Sequence, residues 1–279
     1  MTGPQRPVVK RSLHIIVGLV AGALLYGLFA YVILPLAWSH YEHQKGLQNL
    51  AMVTVTAQGI PGDALNIGLV GSREDIAFAM QAIGWSPANQ LTWRSSVAIV
   101  GSVILHRSYK EAPVSSLFLD NRREDLAYEK QEGRSAGKRH HVRLWQVLDN
   151  GAEGRPVWLG AVTFDIGVGL SHYTGQVTHR ISGDIDAERE FLRSDLIKSG
   201  MVATTYRVSG VGPTLFGRNG QGNRYFTDGE IDVMVLTERG AASQQPAVNL
   251  PSPPVVSFKD ELWRSLRAAT GCVPSQTAC

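Results

Sequence analysis

FDIGVGLSHYTGQVTHRISGDIDAERE, residues Phe164–Glu190, is the stretch from which the rest of the chain is read. Phe164 closes an apolar run that begins at Val157, and His172–Ile181 alternates in the manner of a strand. Asp184 or Asp186 then caps a helix that reaches Lys198 and ends at Gly200. Strand follows strand before any helix intervenes. The pattern therefore predicts an α+β domain, a mixed or antiparallel sheet with flanking helices, and not a doubly wound parallel one.

The flanking sequence extends this reading in both directions. Leu65–Val70 reads as a short strand, and Ser72-Arg-Glu-Asp75 is the start signal of a helix that Gly84 ends. A second helix is expected over Thr92–His106. Ser116–Leu119, His141–Leu148 and Val157–Phe164 read as strands, separated by the turn signals Asn150-Gly151 and Gly154-Arg155-Pro156. Downstream, Val202–Val208 and Glu230–Leu236 close the sheet and are joined through the loop Gly217–Gly222. Ala241–Pro254 has linker composition, and Ser257–Asp260 opens a short helix to about Ala269.

The N-terminus has a different character. Residues 1–11 carry Arg6, Lys10 and Arg11, after which Ile15–Trp38 contains no charge. A bilayer core needs about 20 apolar residues in a helix, and this run exceeds that. A signal peptide has a shorter apolar core, about 7–15 residues, followed by a small-residue cleavage site. Here Tyr31, Trp38 and Tyr41 end the run, as interfacial aromatics do. The expectation is a cytoplasmic tail over 1–11, a single membrane helix over 12–38 and a connector over 39–62. A globular domain over 63–240 and a tail over 241–279 complete the chain. The bias of basic residues towards the N-terminus places the globular part in the periplasm, with the anchor in a bacterial inner membrane. There Cys272 and Cys279, the only cysteines, are free to be oxidised or to remain thiols.

The sum of 27 basic and 24 acidic residues gives a net charge of +3, too small to point to nucleic acid. Two terminal cysteines exclude a cysteine-rich metal site. No nucleophile elbow, phosphate loop or zinc-binding histidine pair occurs, so no metal or cofactor is expected.

Several separated segments carry a family resemblance: Asn66–Arg73 (NIGLVGSR), Pro113–Asp125 (PVSSLFLDNRRED), Lys138–Trp145 (KRHHVRLW) and Phe164–Arg189. Through them the chain resembles the LssY C-terminal domain family over about residues 63–236. The resemblance implies an envelope role linked to a type I secretion locus. It brings no agreed catalytic residues. Related domains are attached to polytopic modules of the DedA or lipid-phosphatase kind, whereas this chain has one anchor.

Candidate site residues follow from strand alternation. His141 and Arg143 share one face of their strand, while His172, Thr174, Gln176 and Arg180 share a face of another, beside Ser171. With those faces aligned they form one polar wall, in which His172 and His141 are acid/base candidates and Asp165 orients a histidine. Arg143, Arg180, Gln176, Thr174 and Ser171 are candidate ligand-binding groups for a phosphate or carboxylate. The competing reading is a solvent-facing strand with histidines that merely satisfy backbone groups, and His179, on the more apolar face, fits that reading best. Two functions follow. The first is an envelope module that binds a lipid or a secretion-system protein. The second is a hydrolase or transferase acting on a phosphorylated or anionic envelope substrate.

Overall fold

The computed structural model describes residues 7–88, 117–133, 138–173, 175 and 177–270. The expected helix over Thr92–His106 and both cysteines lie outside the described residues. The chain forms two compact units, residues 1–42 and His43–Cys279.

The first unit is helical: α1 (Pro7–Leu28), a π-helical turn (Phe29–Ile33) and α2 (Leu34–Tyr41). Within it Leu13–Ala37 is long and apolar enough to cross a membrane, and none of that stretch is buried.

The second unit is mixed α+β. It opens with β1 (Val53–Val55), β2 (Pro61–Ala64), β3 (Ile67–Val70), α3 (Arg73–Ala82) and β4 (Ser86–Pro87). Strands β5 (Phe118–Leu119), β6 (Arg122–Arg123), β7 (Leu126–Gln131), β8 (Arg139–Leu148), β9 (Val157–Leu170) and β10 (Val177–Ile181) follow. The chain continues through α4 (Ile185–Lys198), β11 (Val202–Ser209), β12 (Thr214–Arg218), β13 (Arg224–Thr227) and β14 (Glu230–Leu236). It ends in β15 (Val248–Asn249) and α5 (Pro254–Thr270).

The main sheet has the order β15-β11-β14-β3-β9-β8-β7-β4, with β10 added to the outer half of β9. Its pairings are antiparallel except β3 with β14 and β11 with β15. Both faces are covered, which is why β3, β9 and β14 read as nearly unbroken apolar runs. On one face Ile67, Leu69, Val142, Leu144 and Met234 pack with Ile76 and Met80 of α3 and Leu192 and Leu196 of α4. On the other, Trp145, Leu159, Tyr206 and Val233 pack beneath Leu117 and Leu119. That second cover includes the small sheet β2-β1-β5-β6.

The helix starts follow local chemistry. Ser72 Oγ accepts from Asp75 N at 3.1 Å, and Asp75 Oδ2 accepts from Ser72 N at 2.9 Å, a reciprocal cap on α3. Asp184 Oδ1 accepts from Ala187 N at 3.0 Å and starts α4. Gly84 and Gly200, both at φ 75°, end the two helices as expected.

Other boundaries differ from the sequence reading. His40–Gly62, read as a connector, contains β1 and the start of β2, because Gln44, Leu47 and Thr54 are buried in the globular unit. Strand β9 does not stop at Phe164. It runs on to Leu170, since β10 supplies a ladder partner for its glycine-containing end. The strand expected over His172–Ile181 is shortened to Val177–Ile181, and His172 falls in the turn before it. Gly217–Gly222 lies at the tip of the hairpin β12–β13 rather than in a plain loop. The expected linker pairs briefly with β11 through β15. Helix α5 begins at Pro254, which places Ser257 inside it.

Candidate functional site

Where β8, β9 and β10 meet, the sheet borders a partly open cavity of about 50 Å³. Alternate residues of β8, Arg139, His141 and Arg143, face it, and Asp165 faces it from β9. Asp165 lies at the switch between two partners, paired with Arg139 of β8 on one side and Ile181 of β10 on the other. His179, two residues from Ile181, shares that face. Asp63 and the hairpin residues Asn219, Gly220 and Gln221 complete the wall.

Asp165 is the centre of the arrangement and is fully buried. Its Oδ2 accepts from Arg139 Nε at 3.0 Å and lies 3.4 Å from His141 Nδ1 and 3.5 Å from His179 Nδ1. Arg139 also donates to Glu129 through Nη1 at 2.9 Å. His141 Nε2 meets Thr163 Oγ1 at 2.8 Å and Arg143 Nη1 at 3.1 Å. Arginine only donates, so Nε2 is the acceptor in the second contact, leaving the ring proton on Nδ1, directed at Asp165. Arg143 Nη1 donates also to Asp63 Oδ2 at 3.3 Å, and Asn219 Nδ2 donates to Asp63 Oδ1 at 3.3 Å.

Burial acts against the charge on Asp165, yet His141, His179 and Arg139 around it prevail and hold its carboxyl well below the usual carboxylate range. Burial pushes the His179 imidazole down to about 4 against the attraction of Asp165, with Arg139, His141 and Arg143 adding to the fall. His179 is therefore neutral at pH 7. Two arginines then face three carboxylates, Asp63, Asp165 and Glu129, so the cavity wall is not cationic. Among the described residues, several buried polar atoms around it make no hydrogen bond: Arg143 Nε, Asp165 Oδ1, and His141 Nδ1 and His179 Nδ1, which approach Asp165 Oδ2 only at 3.4 and 3.5 Å. Such atoms cost free energy until a ligand or water meets them, about 1–3 kcal/mol each.

The sequence-derived candidates divide between this cavity and its surroundings. His141, Arg143 and Asp165 come together in the cavity wall. His172 is exposed in the turn after β9, where its backbone N–H donates to Gln221 O at 3.0 Å; it does not line the cavity. The turn packs closely on the β12–β13 hairpin: any Cβ at Gly222, which has φ 83°, would fall 2.6 Å from the Cβ of His172. Arg180 is exposed and absent from the wall, alternating with His179 along β10. Ser171 is buried and accepts from Tyr173 N at 3.3 Å through its Oγ. Thr174 and Gln176 lie outside the described residues.

Arg139, Asp63 and Asn219 join the site without a place among the sequence-derived candidates, and His179, expected to be scaffolding, joins it too. Arg139 was readable, because it has the same strand parity as His141 and Arg143. Asp63 and Asn219 carried no local signal, since they meet only through the tertiary fold. Among the described residues, no group of three or more His, Cys, Asp or Glu side chains is arranged to hold a metal ion.

A second charged cluster fastens α4 and α5 to the sheet. Arg189 donates to Asp228 at 2.8 and 2.9 Å, and lies 3.4 Å from Asp186 and 3.3 Å from Asp232. Arg207 bridges Asp232 at 2.8 Å and Asp260 of α5 at 2.9 Å, while Lys259 of α5 pairs with Glu230. Burial, reinforced by the nearby Asp228 carboxylate, pushes Asp186 up to about 6 despite the attraction of Arg189.

No curated protein and no solved structure matches the chain. A family model does, that of the LssY C-terminus, over residues 47–231. Its lower bound falls just before β1, and it spans every strand that walls the cavity, including Asp63, Asp165 and Asn219. The chain belongs to the LssY C-terminus family.

Proposed function

We propose that this protein is a membrane-anchored module whose globular domain binds the terminal phosphate of an envelope molecule in the Asp165 cavity. The observation that carries the reading is the mixed set of atoms there that make no hydrogen bond among the described residues: nitrogens on Arg143, His141 and His179 beside one acceptor, Asp165 Oδ1. A phosphate in its monoanionic form offers oxygens to the nitrogens and an O–H to Asp165. It also meets less repulsion from Asp63 and Asp165 than a dianion would. The volume of about 50 Å³ admits a terminal group and excludes a whole lipid or sugar. Helix Leu13–Ala37 serves as the anchor. The basic N-terminal tail argues for a cytoplasmic N-terminus and a periplasmic domain in the inner membrane of a bacterium. The family name supports an accessory role in secretion or envelope transport.

The test is calorimetric titration of the full chain in detergent with inorganic phosphate at pH 5.5 and pH 8. The expected outcome is tighter binding at pH 5.5, and loss of binding in Arg143→Met. Equal affinities at the two pH values, or an Arg143→Met protein that binds as the wild type does, would refute the reading.

A second reading, hydrolysis of the bound phosphate ester, is favoured by one observation. Asp165 Oδ2 lies within 3.5 Å of two imidazoles, the arrangement by which a carboxylate orients a general base. On this reading His141 or His179 is the acid/base, in place of His172. Turnover of phosphomonoesters that disappears in both His141→Gln and His179→Gln would establish it, and phosphate binding without turnover would leave the module non-enzymatic.

A further inference from the structure

Helix α5 buries Val256 and Trp263 against the domain and is fixed there by the Lys259–Glu230 and Arg207–Asp260 pairs. Among the described residues, a second apolar stripe on the same helix is left uncovered. Phe258, Leu262 and Leu266, spaced at i, i+4 and i+8, are 69%, 52% and 45% exposed. That spacing places three large side chains in one row.

The position of α5 in the fold argues for what covers the row. The chain enters the globular unit at His43 and Gln44. Gln44 Nε2 donates to Tyr206 Oη at 2.6 Å, and the His43 ring lies 4.2 Å from that of Tyr206. The next residue of β11, Arg207, points to the opposite face of the sheet and there holds Asp260 of α5. The entry point and α5 are thus seated on consecutive residues of one strand. Between Ala37, where the apolar helix ends, and His43 the chain spans at most about 20 Å even when fully extended. A second copy is a poor occupant: three large side chains offer on the order of 500 Å², against about 800 Å² per partner in a stable dimer.

We infer that the Phe258–Leu262–Leu266 face of α5 lies in the headgroup layer of the bilayer that holds the anchor. The inference rests on the anchoring proposed above. An amphipathic helix at this depth buries its apolar row among the upper acyl chains and keeps its charged side in water, where Glu261 and Arg264 are exposed.

The test uses the full chain with Cys272 and Cys279 changed to Ser and a single environment-sensitive fluorophore at Leu262→Cys. The protein is placed in lipid nanodiscs, one copy per disc. The expected result is blue-shifted emission that lipids spin-labelled near the headgroup quench, while the same label at Glu261→Cys stays red-shifted and unquenched. Phe258→Asp combined with Leu266→Asp should abolish the quenching without changing the circular dichroism of the protein. A label at position 262 that is solvent-exposed in incorporated protein overturns the inference. So does one that is shielded but unquenched, which would mean a protein covers the row. Failure of the chain to enter discs would instead overturn the anchor itself.

Discussion

The two charged clusters titrate in opposite directions, and this predicts a pH profile that neither alone would give. His179 has its folded-state pKa depressed to about 4. Between about pH 6.5 and 4 the unfolded chain takes up a proton that the folded one refuses, so stability falls as the solution is acidified. The span corresponds to about 3 kcal/mol, at 1.36 kcal/mol for each tenfold change in proton affinity. Asp186 has its folded-state pKa raised to about 6 from an ordinary value near 3.8. Between those limits the folded chain holds a proton that the unfolded one has released, and stability rises on acidification, again by about 3 kcal/mol. Burial raises Glu230 in the same sense. In the wild type the two contributions nearly cancel between pH 4 and 6, and each single variant uncovers the other. His179→Gln should become steadily less stable as pH rises from 4 to 6, and Asp186→Asn steadily more stable from 4 to 6.5. Denaturant titrations of the globular unit begun at His43, followed by tryptophan fluorescence across this range, measure both slopes. Parallel pH profiles for wild type and His179→Gln would show that the imidazole titrates alike in the folded and unfolded chains. The description of His179 as a buried imidazole crowded by charges would then be wrong.

Two further outcomes follow from individual contacts. Asp165→Asn removes the charge opposite Arg139 in a pair whose side chains are 0% and 1% exposed. Loss of one member of a buried pair costs about 3–5 kcal/mol, and because Glu129 still holds Arg139 the lower figure is expected, seen as a fall of about 6–10 °C in melting temperature. An unchanged melting point would count against the ion-pair reading. Gln44→Ala strips contacts to Tyr206 Oη, Glu153 and Ala152 N, and should cost about 1–3 kcal/mol in the same denaturation assay; a neutral change would show that Gln44 is not part of the domain.

Much of the fold was legible because its signals are local. The Ser72–Asp75 cap, the Asp184 cap and the glycines at 84 and 200 act over a single turn of helix, and the opposite faces of His141 and Val142 follow from strand geometry alone. The site was legible only in part. His141, Arg143 and Asp165 were identifiable as polar residues in otherwise apolar strands. The choice of His179 over His172 turned on where β10 begins, and that depends on its pairing with the end of β9. The glycines at 167 and 169 look like turn residues to any local rule, yet they remain in β9 because a neighbouring strand supplies hydrogen bonds. Asp63 and Asn219 are 156 residues apart and meet through a hydrogen bond that no local pattern encodes.

Strand β3 sits in the middle of the main sheet, and both of its neighbours come later in the chain. Ile67–Val70 pairs first with Val157–Gly160 and then with Asp232–Val235. An emerging chain therefore holds an unpaired Ile-Gly-Leu-Val segment through the synthesis of some ninety residues, and the parallel partner arrives only after about seventy more. Pairings of such long sequence separation form slowly. Until β14 arrives, this segment is a free edge open to other chains, so the folding of this protein depends on a holding chaperone more than its finished, well-covered sheet would suggest.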